Sequence, residues 1–277
     1  MTPAEKEIYG LIGSPLKHSL SPLMHNAAFG ALKIDAEYRL FELKAEELTG
    51  FFGSLREKNI HGLNVTVPYK EKVIPYLDNV SHEAGVIGAV NTVRVTDEGR
   101  EGFNTDGQGF IKNLKEDLGF EPRGKKVVIL GAGGASRAIS VYLCKENPAY
   151  ISVYDVDSNK ASKLASHLQE NFRGVAVNSF ASIEDVHLGE ADLLVNATPV
   201  GLKESDPAVI DVALPGKDTL VYDLIYNPRE TKLLKLAKDR GLRVSNGLGM
   251  LLYQGMLTFE IWTGRPAPKE VMRKALS

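Results

Sequence analysis

The segment Val127-Val-Ile-Leu-Gly-Ala-Gly-Gly-Ala-Ser136 constrains this chain more than any other stretch. Its apolar run reads as a buried strand, the glycines as a tight turn, and the following Ala135–Lys145 as an amphipathic helix. In that setting Gly131 permits the turn, and Gly133, with Ala132 before it, brings backbone close to a pyrophosphate. The amides of Gly134 and Ala135 then point from a helix N-terminus toward negative charge. Ser136 stands where the fingerprint usually has Gly or Ala, a mild departure. A glycine-rich turn can also be purely structural. Context favours a nucleotide, because a second strand ends in Asp155, near the ~20-residue spacing at which a carboxylate meets the ribose. That carboxylate would accept from ribose hydroxyls and repel a 2′-phosphate. Lys160 is the one cation in Val156–Lys160. The plainer alternative is that Asp155 or Asp157 caps the helix beginning near Ser158.

Short β-rich runs alternate with helical patterns along the rest of the chain. Expected strands include Ile8–Ile12, Tyr38–Glu42, Gly62–Val67, Lys126–Leu130, Ile151–Asp155, Asp192–Asn196 and Leu220–Asp223. Expected helices include Pro22–Leu32, Ala45–Lys58, Ala135–Lys145, Lys160–Glu170 and Thr231–Arg240. That rhythm predicts an α/β fold of two domains. One is a Rossmann-type doubly wound dinucleotide-binding domain, the other an N-terminal α/β substrate domain, with a cleft between them. The chain of 277 residues is long enough for both. The turn Glu121-Pro-Arg-Gly124 precedes a fresh apolar strand, and the tail after Gly247 is too short to fold alone. The expected limits are residues 1–103 with 247–277 for the substrate domain, and 104–246 for the dinucleotide domain.

Composition excludes several other classes. At 43% hydrophobic and 25% charged the chain is neither disordered nor fibrous. A net charge of −2 provides no global field for nucleic acid or an anionic membrane, so neither is an expected partner. No run approaches the ~18 apolar residues of a membrane span. The polar Met1–Glu7 lacks a signal core. The single cysteine, Cys144, can form neither an intramolecular disulfide nor a structural zinc site and reads as core. The six histidines, His18 and His25 among them, show no metal-ligand spacing, so no metal is expected. A hydrolase elbow is lacking. These features fit a cytoplasmic setting, with a homodimer left open.

Several polar clusters remain. In Asn64-Val-Thr-Val-Pro-Tyr-Lys70, period-two alternation sets Asn64 and Thr66 on one strand face and Val65 and Val67 on the other. Lys70 is expected in the first turn of a following helix, where the dipole disfavours a cation and pushes its pKa down. An ordinary surface lysine is the bland reading. Asp106 in Asn104-Thr-Asp-Gly107 reads by default as an N-cap. In Ser19-Leu-Ser-Pro22, Ser21 is the expected cap and Pro22 the first helical residue, leaving Ser19 free to face a cleft. Asn91-Thr92 is a further polar pair at a strand start.

In order, Ser19-Leu-Ser-Pro22, Asn64-Val-Thr-Val-Pro68 with Lys70, Gly88-Ala-Val-Asn-Thr92 and Asn104-Thr-Asp-Gly107 resemble the shikimate dehydrogenase family. So do Gly131–Ala138, Asn196-Ala-Thr-Pro-Val-Gly201, Tyr222-Asp-Leu-Ile-Tyr226, and Gly247-Leu-Gly-Met250 with Gln254. The resemblance covers essentially the whole chain. It implies reversible, NAD(P)-dependent reduction of 3-dehydroshikimate to shikimate, a step of aromatic amino-acid biosynthesis. By matching position, Lys70 and Asp106 would be the catalytic pair. Ser19, Ser21, Asn64, Thr66, Asn91, Tyr226 and Gln254 would hold the substrate, and Leu224 and Gly247 would lie near the cofactor. Members that use NADP, the family default, carry arginines after the second strand; here Asp155-Val-Asp157 and Lys160 stand there, which favours NAD. Both Ser19 and Ser21 are present, as in enzymes selective for shikimate, which puts quinate second. A reading of another class is a dinucleotide sensor without catalysis, which would have no need for Lys70 and Asp106 together.

Overall fold

The computed structural model describes residues 6–277. Most of the polar run Met1–Glu7, and with it the expectation about a signal core, lies outside the described residues. The chain divides into two compact units. The chain up to Gly109 together with Leu252–Ser277 forms one, and Phe110–Leu251 the other. The limits expected from sequence fall just before helices Asp106–Lys112 and Leu248–Thr263, and the division lies inside them.

The first unit contains β1 (Glu7–Gly13), α1 (Ser21–Ala31), β2 (Ala36–Glu42), α2 (Leu48–Gly53), β3 (Ile60–Val65) and β4 (Asn79–Val80). It continues with α3 (His82–Ile87), β5 (Thr92–Thr96), β6 (Gly99–Phe103) and the start of α4 (Asp106–Lys112). The strands form one mixed sheet in the order β2-β1-β3-β5-β6-β4. β1 runs parallel to both neighbours, and β5 runs antiparallel to β3 and β6. Ile8, Ile12, Leu63, Val65 and Val93 from the sheet pack with Leu48, Phe51, Phe52 and Leu55 in one apolar core. Ile12 sits opposite Val65, so the chains leaving β1 and β3 emerge at the same edge. These two exits carry Ser19, Ser21, Thr66 and Lys70.

The second unit holds β7 (Lys126–Leu130), α5 (Gly134–Lys145), β8 (Tyr150–Tyr154), α6 (Ser158–Asn171), β9 (Ala176–Phe180) and β10 (Leu193–Asn196). After these come β11 (Leu220–Asp223), α7 (Lys232–Asp239) and β12 (Arg243–Ser245). All six strands are parallel, in the order β12-β11-β10-β7-β8-β9, the doubly wound arrangement. Strand order reverses between β7 and β10, where such sheets take their ligands, and the glycine turn leaves β7 at that point. β7 beyond Lys126 and the whole of β10 are buried, as strands covered on both faces must be. Helices α8 (Leu248–Thr263) and α9 (Lys269–Ala275) complete the chain.

The α/β class holds, with local corrections. The helix expected over Ala45–Lys58 is a single tight turn at Ala45–Glu47 followed by α2, which stops at Gly53. Gly50 and Gly53 weaken the helix that its apolar pattern suggests. No helix begins at Lys70. The chain turns through Val73 and makes one tight turn at Ile74–Tyr76. Pro75 cannot donate to a helical ladder and disfavours helical backbone before it, the chain after Lys70 forms only turns, and the dipole argument for Lys70 falls. β3 ends at Val65, so Thr66 lies past the strand and Val67 is 69% exposed instead of sharing the face of Val65. Strands β4, β6, β9 and β12 were outside the expected set, while β5 starts at Thr92, in the pair read as a strand start. No helix among the described residues is long and apolar enough to cross a membrane.

Candidate functional site

In the first unit, Lys70 follows β3 and Asp106 opens α4. Lys70 Nζ donates to Asp106 Oδ2 at 2.6 Å, with side-chain exposures of 17% and 8%. A charge-assisted bond this short, shielded from water, is strong and directional. Asp106 is the first residue of its helix and not its cap, since its carboxylate is engaged elsewhere. Asn104 Oδ1 instead accepts the Asp106 amide at 3.1 Å. The other Asp106 oxygen accepts from Asn91 Nδ2 at 2.8 Å. Asn91 can face only one way, because its Oδ1 accepts the backbone N–H of Thr105 at 2.8 Å, a group that cannot do other than donate. Lys70, Asp106 and Asn91 therefore form one oriented chain.

Asn64 lies behind it, buried. Its Oδ1 accepts from the Tyr38 hydroxyl at 2.9 Å, and its Nδ2 donates to Asn91 O at 3.1 Å. Thr66 is half-buried, and its methyl presses on the backbone of Gly13. Ser21 is the first residue of α1, not its cap, and is buried. Ser19 is not free: its Oγ accepts the Ser21 amide at 3.3 Å. Gln254 on α8 is buried, and its backbone lies where a side chain at Gly109, one turn beyond Asp106, would have to go. Tyr226 belongs to the second unit, where burial raises its phenol pKa. Thr92, Thr105 and Thr258, whose hydroxyls meet beside Asn91, were absent from the expected site. Asn91-Thr92 and Asn104-Thr105 were legible as polar pairs. Thr258 had no local signal.

In the second unit, Gly131 has φ +101°, and a Cβ there would meet Ala197 O at 2.9 Å, so only glycine makes this turn without strain. Cβ atoms at Gly133 and Gly134 would meet nothing within 4 Å. The loop thus leaves room that a close-lying phosphate group would fill. Gly133 holds the N-cap of α5 and supplies no side-chain cap, so the helix-end amides stay available to an anion. Ala132 contributes differently: its amide donates to Asp155 Oδ2 at 2.8 Å. Asp155 Oδ1 accepts the Asp157 amide at 2.9 Å, and Asp157 is the actual cap of α6. Each oxygen of Asp155 keeps a lone pair for a further donor. Val156 is 93% exposed, and Lys160 sits 3.7 Å from Asp157.

At the ends of β10 and β11, Asn196 Nδ2 donates to Asp223 Oδ1 at 3.0 Å and Thr231 Oγ1 to Asp223 Oδ2 at 2.7 Å. Burial raises the pKa of this carboxyl. The bonds hold the turn carrying Leu224, whose amide donates to Asn196 O. A Cβ at Gly247 would lie 2.0 Å from Leu224 O, so these two expected cofactor residues touch through backbone. The residues present fit a dinucleotide. Among the described residues, no group of three or more His, Cys, Asp or Glu is placed to hold a metal ion.

Comparison with known proteins bears on the whole chain. A family model described as the shikimate dehydrogenase substrate binding domain matches residues 11–93, and one described as the shikimate 5′-dehydrogenase C-terminal domain matches 247–276. A relative from Methanopyrus kandleri named shikimate dehydrogenase (NADP(+)) is 46% identical over 278 residues, spanning 99% of this chain and 96% of its own. Shikimate 5-dehydrogenase from Listeria monocytogenes, solved with shikimate and NAD, superposes with a TM-score of 0.90 at 35% identity, covering 99% of this chain and 97% of its own. The Thermus thermophilus enzyme, solved with NADP(H) and shikimate, gives a TM-score of 0.87 at 36% identity, covering 98% of each chain.

Proposed function

The chain belongs to the shikimate dehydrogenase family, and from that premise we propose that it interconverts 3-dehydroshikimate and shikimate, using a nicotinamide dinucleotide. The observation that carries this reading is the oriented chain Asn91–Asp106–Lys70. A cation shielded from water and held at one carboxylate oxygen can pass a proton to or from a carbonyl oxygen as charge builds there. Lys70 is the proton donor in reduction and the acceptor in oxidation. Asp106 holds it and balances its charge. Ser19, Ser21, Thr66, Tyr226 and Gln254 bind the carboxylate and hydroxyls of the substrate. Asn91, expected among them, has its amide protons and Oδ1 committed to Asp106, Thr105 and Thr92 and acts through Asp106. Asn64, already engaged with Tyr38 and Asn91, has only the second lone pair of Oδ1 for this task.

When bound, the dinucleotide supplies or accepts the hydride. Gly131–Ala135 would cradle its pyrophosphate, Asp155 its adenosine ribose, and Leu224 and Gly247 would line its nicotinamide end. The finer choice is NAD. What supports it is the carboxylate of Asp155 beside the glycine loop, where a 2′-phosphate would be repelled, and Lys160 lying against Asp157. The relatives named for NADP make this a specific departure of this chain. Initial rates with shikimate and with quinate, each at matched subsaturating NAD and NADP, test every part. Shikimate with NAD should be fastest, and a large NADP preference would sink the reading of Asp155. The same reading places the enzyme in the cytoplasm, and sedimentation would show whether it forms a homodimer.

A further inference from the structure

Three fully or nearly fully buried threonine hydroxyls from distant parts of the first unit meet at one point. Thr258 Oγ1, on α8, lies 2.8 Å from Thr92 Oγ1 on β5 and 3.2 Å from Thr105 Oγ1 before α4. Thr92 Oγ1 donates to Asn91 Oδ1 at 3.0 Å, and Asn91 Nδ2 donates to Thr105 Oγ1 at 3.0 Å. Asn64 Nδ2 also approaches Thr92 and Thr258, at 3.3 and 3.4 Å. The Thr258 hydroxyl thus bridges the two hydroxyls that grip opposite ends of the Asn91 carboxamide.

We propose that Thr258 is a positioning residue: through Thr92 and Thr105 it locks Asn91, and Asn91 in turn holds the Asp106 carboxylate at the angle that presents Lys70. The physical reason lies in the donor count. Each hydroxyl carries one proton, and the Thr92 proton is committed to Asn91 Oδ1. Thr258 therefore donates to Thr92 and accepts from Thr105, which joins the two hydroxyls. Without it two buried hydroxyls lose their shared partner and the Asn91 amide gains freedom to tilt. The α8 backbone is independently pinned to β5, where Trp262 Nε1 donates to Val93 O at 2.9 Å. Removing the hydroxyl alone should therefore leave the helix seated.

This inference rests on Lys70 and Asp106 being the proton-transfer pair. Its test compares Thr258→Val, Thr258→Ala and Thr258→Ser in the full chain. Thr258→Val keeps the shape and loses the hydroxyl; Ser and Ala differ by the hydroxyl only. Valine and alanine should lower kcat by roughly tenfold to a hundredfold with KM for the dinucleotide within about twofold, while serine stays near the parent. Melting temperatures need not follow that ranking, because serine loses the methyl that valine keeps. Should the valine variant fail to fold, the serine–alanine pair decides. Nitrogen-15 NMR of the Asn91 carboxamide gives a readout independent of turnover, with faster hydrogen exchange in Thr258→Ala than in Thr258→Ser. Parent-like kcat in valine or alanine, equal loss in serine and alanine, or unchanged Asn91 exchange would each overturn the proposal. A parent that turns over neither shikimate nor quinate would instead overturn the substrate reading, while the Asn91 exchange comparison still stands.

Discussion

The two units prepare for their ligands in opposite ways. In the first, the site is made of side chains: Lys70, Asp106, Asn91 and Asn64 are joined by bonds that leave each one orientation. In the second, it is made of backbone and of missing side chains. Gly131 turns where a Cβ would collide, Gly133 and Gly134 leave space, and the amides at the start of α5 lack a side-chain cap. A polyhydroxylated ring needs several donors and acceptors at set angles, which only side chains on several elements can provide. A pyrophosphate needs close, parallel N–H groups, which one helix end supplies. The first unit should therefore be sensitive to what is removed, and the second to what is added.

The sharpest test of that contrast is Lys70→Ala. It should lower kcat by roughly 10²- to 10⁴-fold while dinucleotide affinity holds, as steady-state kinetics and a binding titration would show. Near-normal turnover would remove Lys70 from the chemistry.

Acid stability comes next. His25 in the first unit is fully buried, stacked 4.7 Å from the Tyr38 ring, and neither ring nitrogen has a partner among the described residues. Burial lowers its pKa from 6.5 to about 3. Between those values the unfolded chain binds a proton that the folded one refuses, so stability is full above pH 6.5 and falls as pH drops. The loss amounts to roughly 1.4 kcal/mol per pH unit. Asp223 in the second unit is shifted upward by burial, so acidification acts there with the opposite sign. Denaturant melts from pH 7 to 4 should show the fall, and His25→Phe should flatten it. A parent and variant with parallel profiles would refute the assignment.

Gly131→Ala tests the backbone-built site. A Cβ at φ +101° and 2.9 Å from Ala197 O should cost about 1–3 kcal/mol of stability and weaken dinucleotide binding, with shikimate affinity unaffected. Equal losses for both ligands would blur the contrast between the units. The smallest expected effect belongs to Cys144. Its thiol is buried on α5 and its pKa is pushed up to about 12, so a thiol reagent should leave turnover unchanged until the chain unfolds.

The second unit was the more legible of the two. β7 and β11 begin and end where expected, and the glycine turn, Asp155 and the capping role of Asp157 are local features of short segments. The first unit misled more often. At Ala45–Lys58 the apolar pattern suggested a helix that Gly50 and Gly53 weaken, and the helix expected directly after Pro68 is a series of turns. Ser19 and Ser21 were placed on the correct turn with their roles displaced, because a cap depends on one backbone angle that residue type does not settle. Asp106 likewise read locally as a cap, and only the resemblance paired it with Lys70; its carboxylate has two partners far along the chain, Lys70 and Asn91.

By itself the sequence determined the alternation of strands and helices and the glycine turn after β7, because each depends on periodicity or conformational freedom within a few positions. Only the tertiary structure decided that Lys70 meets Asp106, that Asn91 faces one way, and that Thr258 closes a network across 166 residues from Thr92. Hydrogen bonds are directional and reach about 3 Å, so their pairing is set by how elements pack and is absent from the order of the chain.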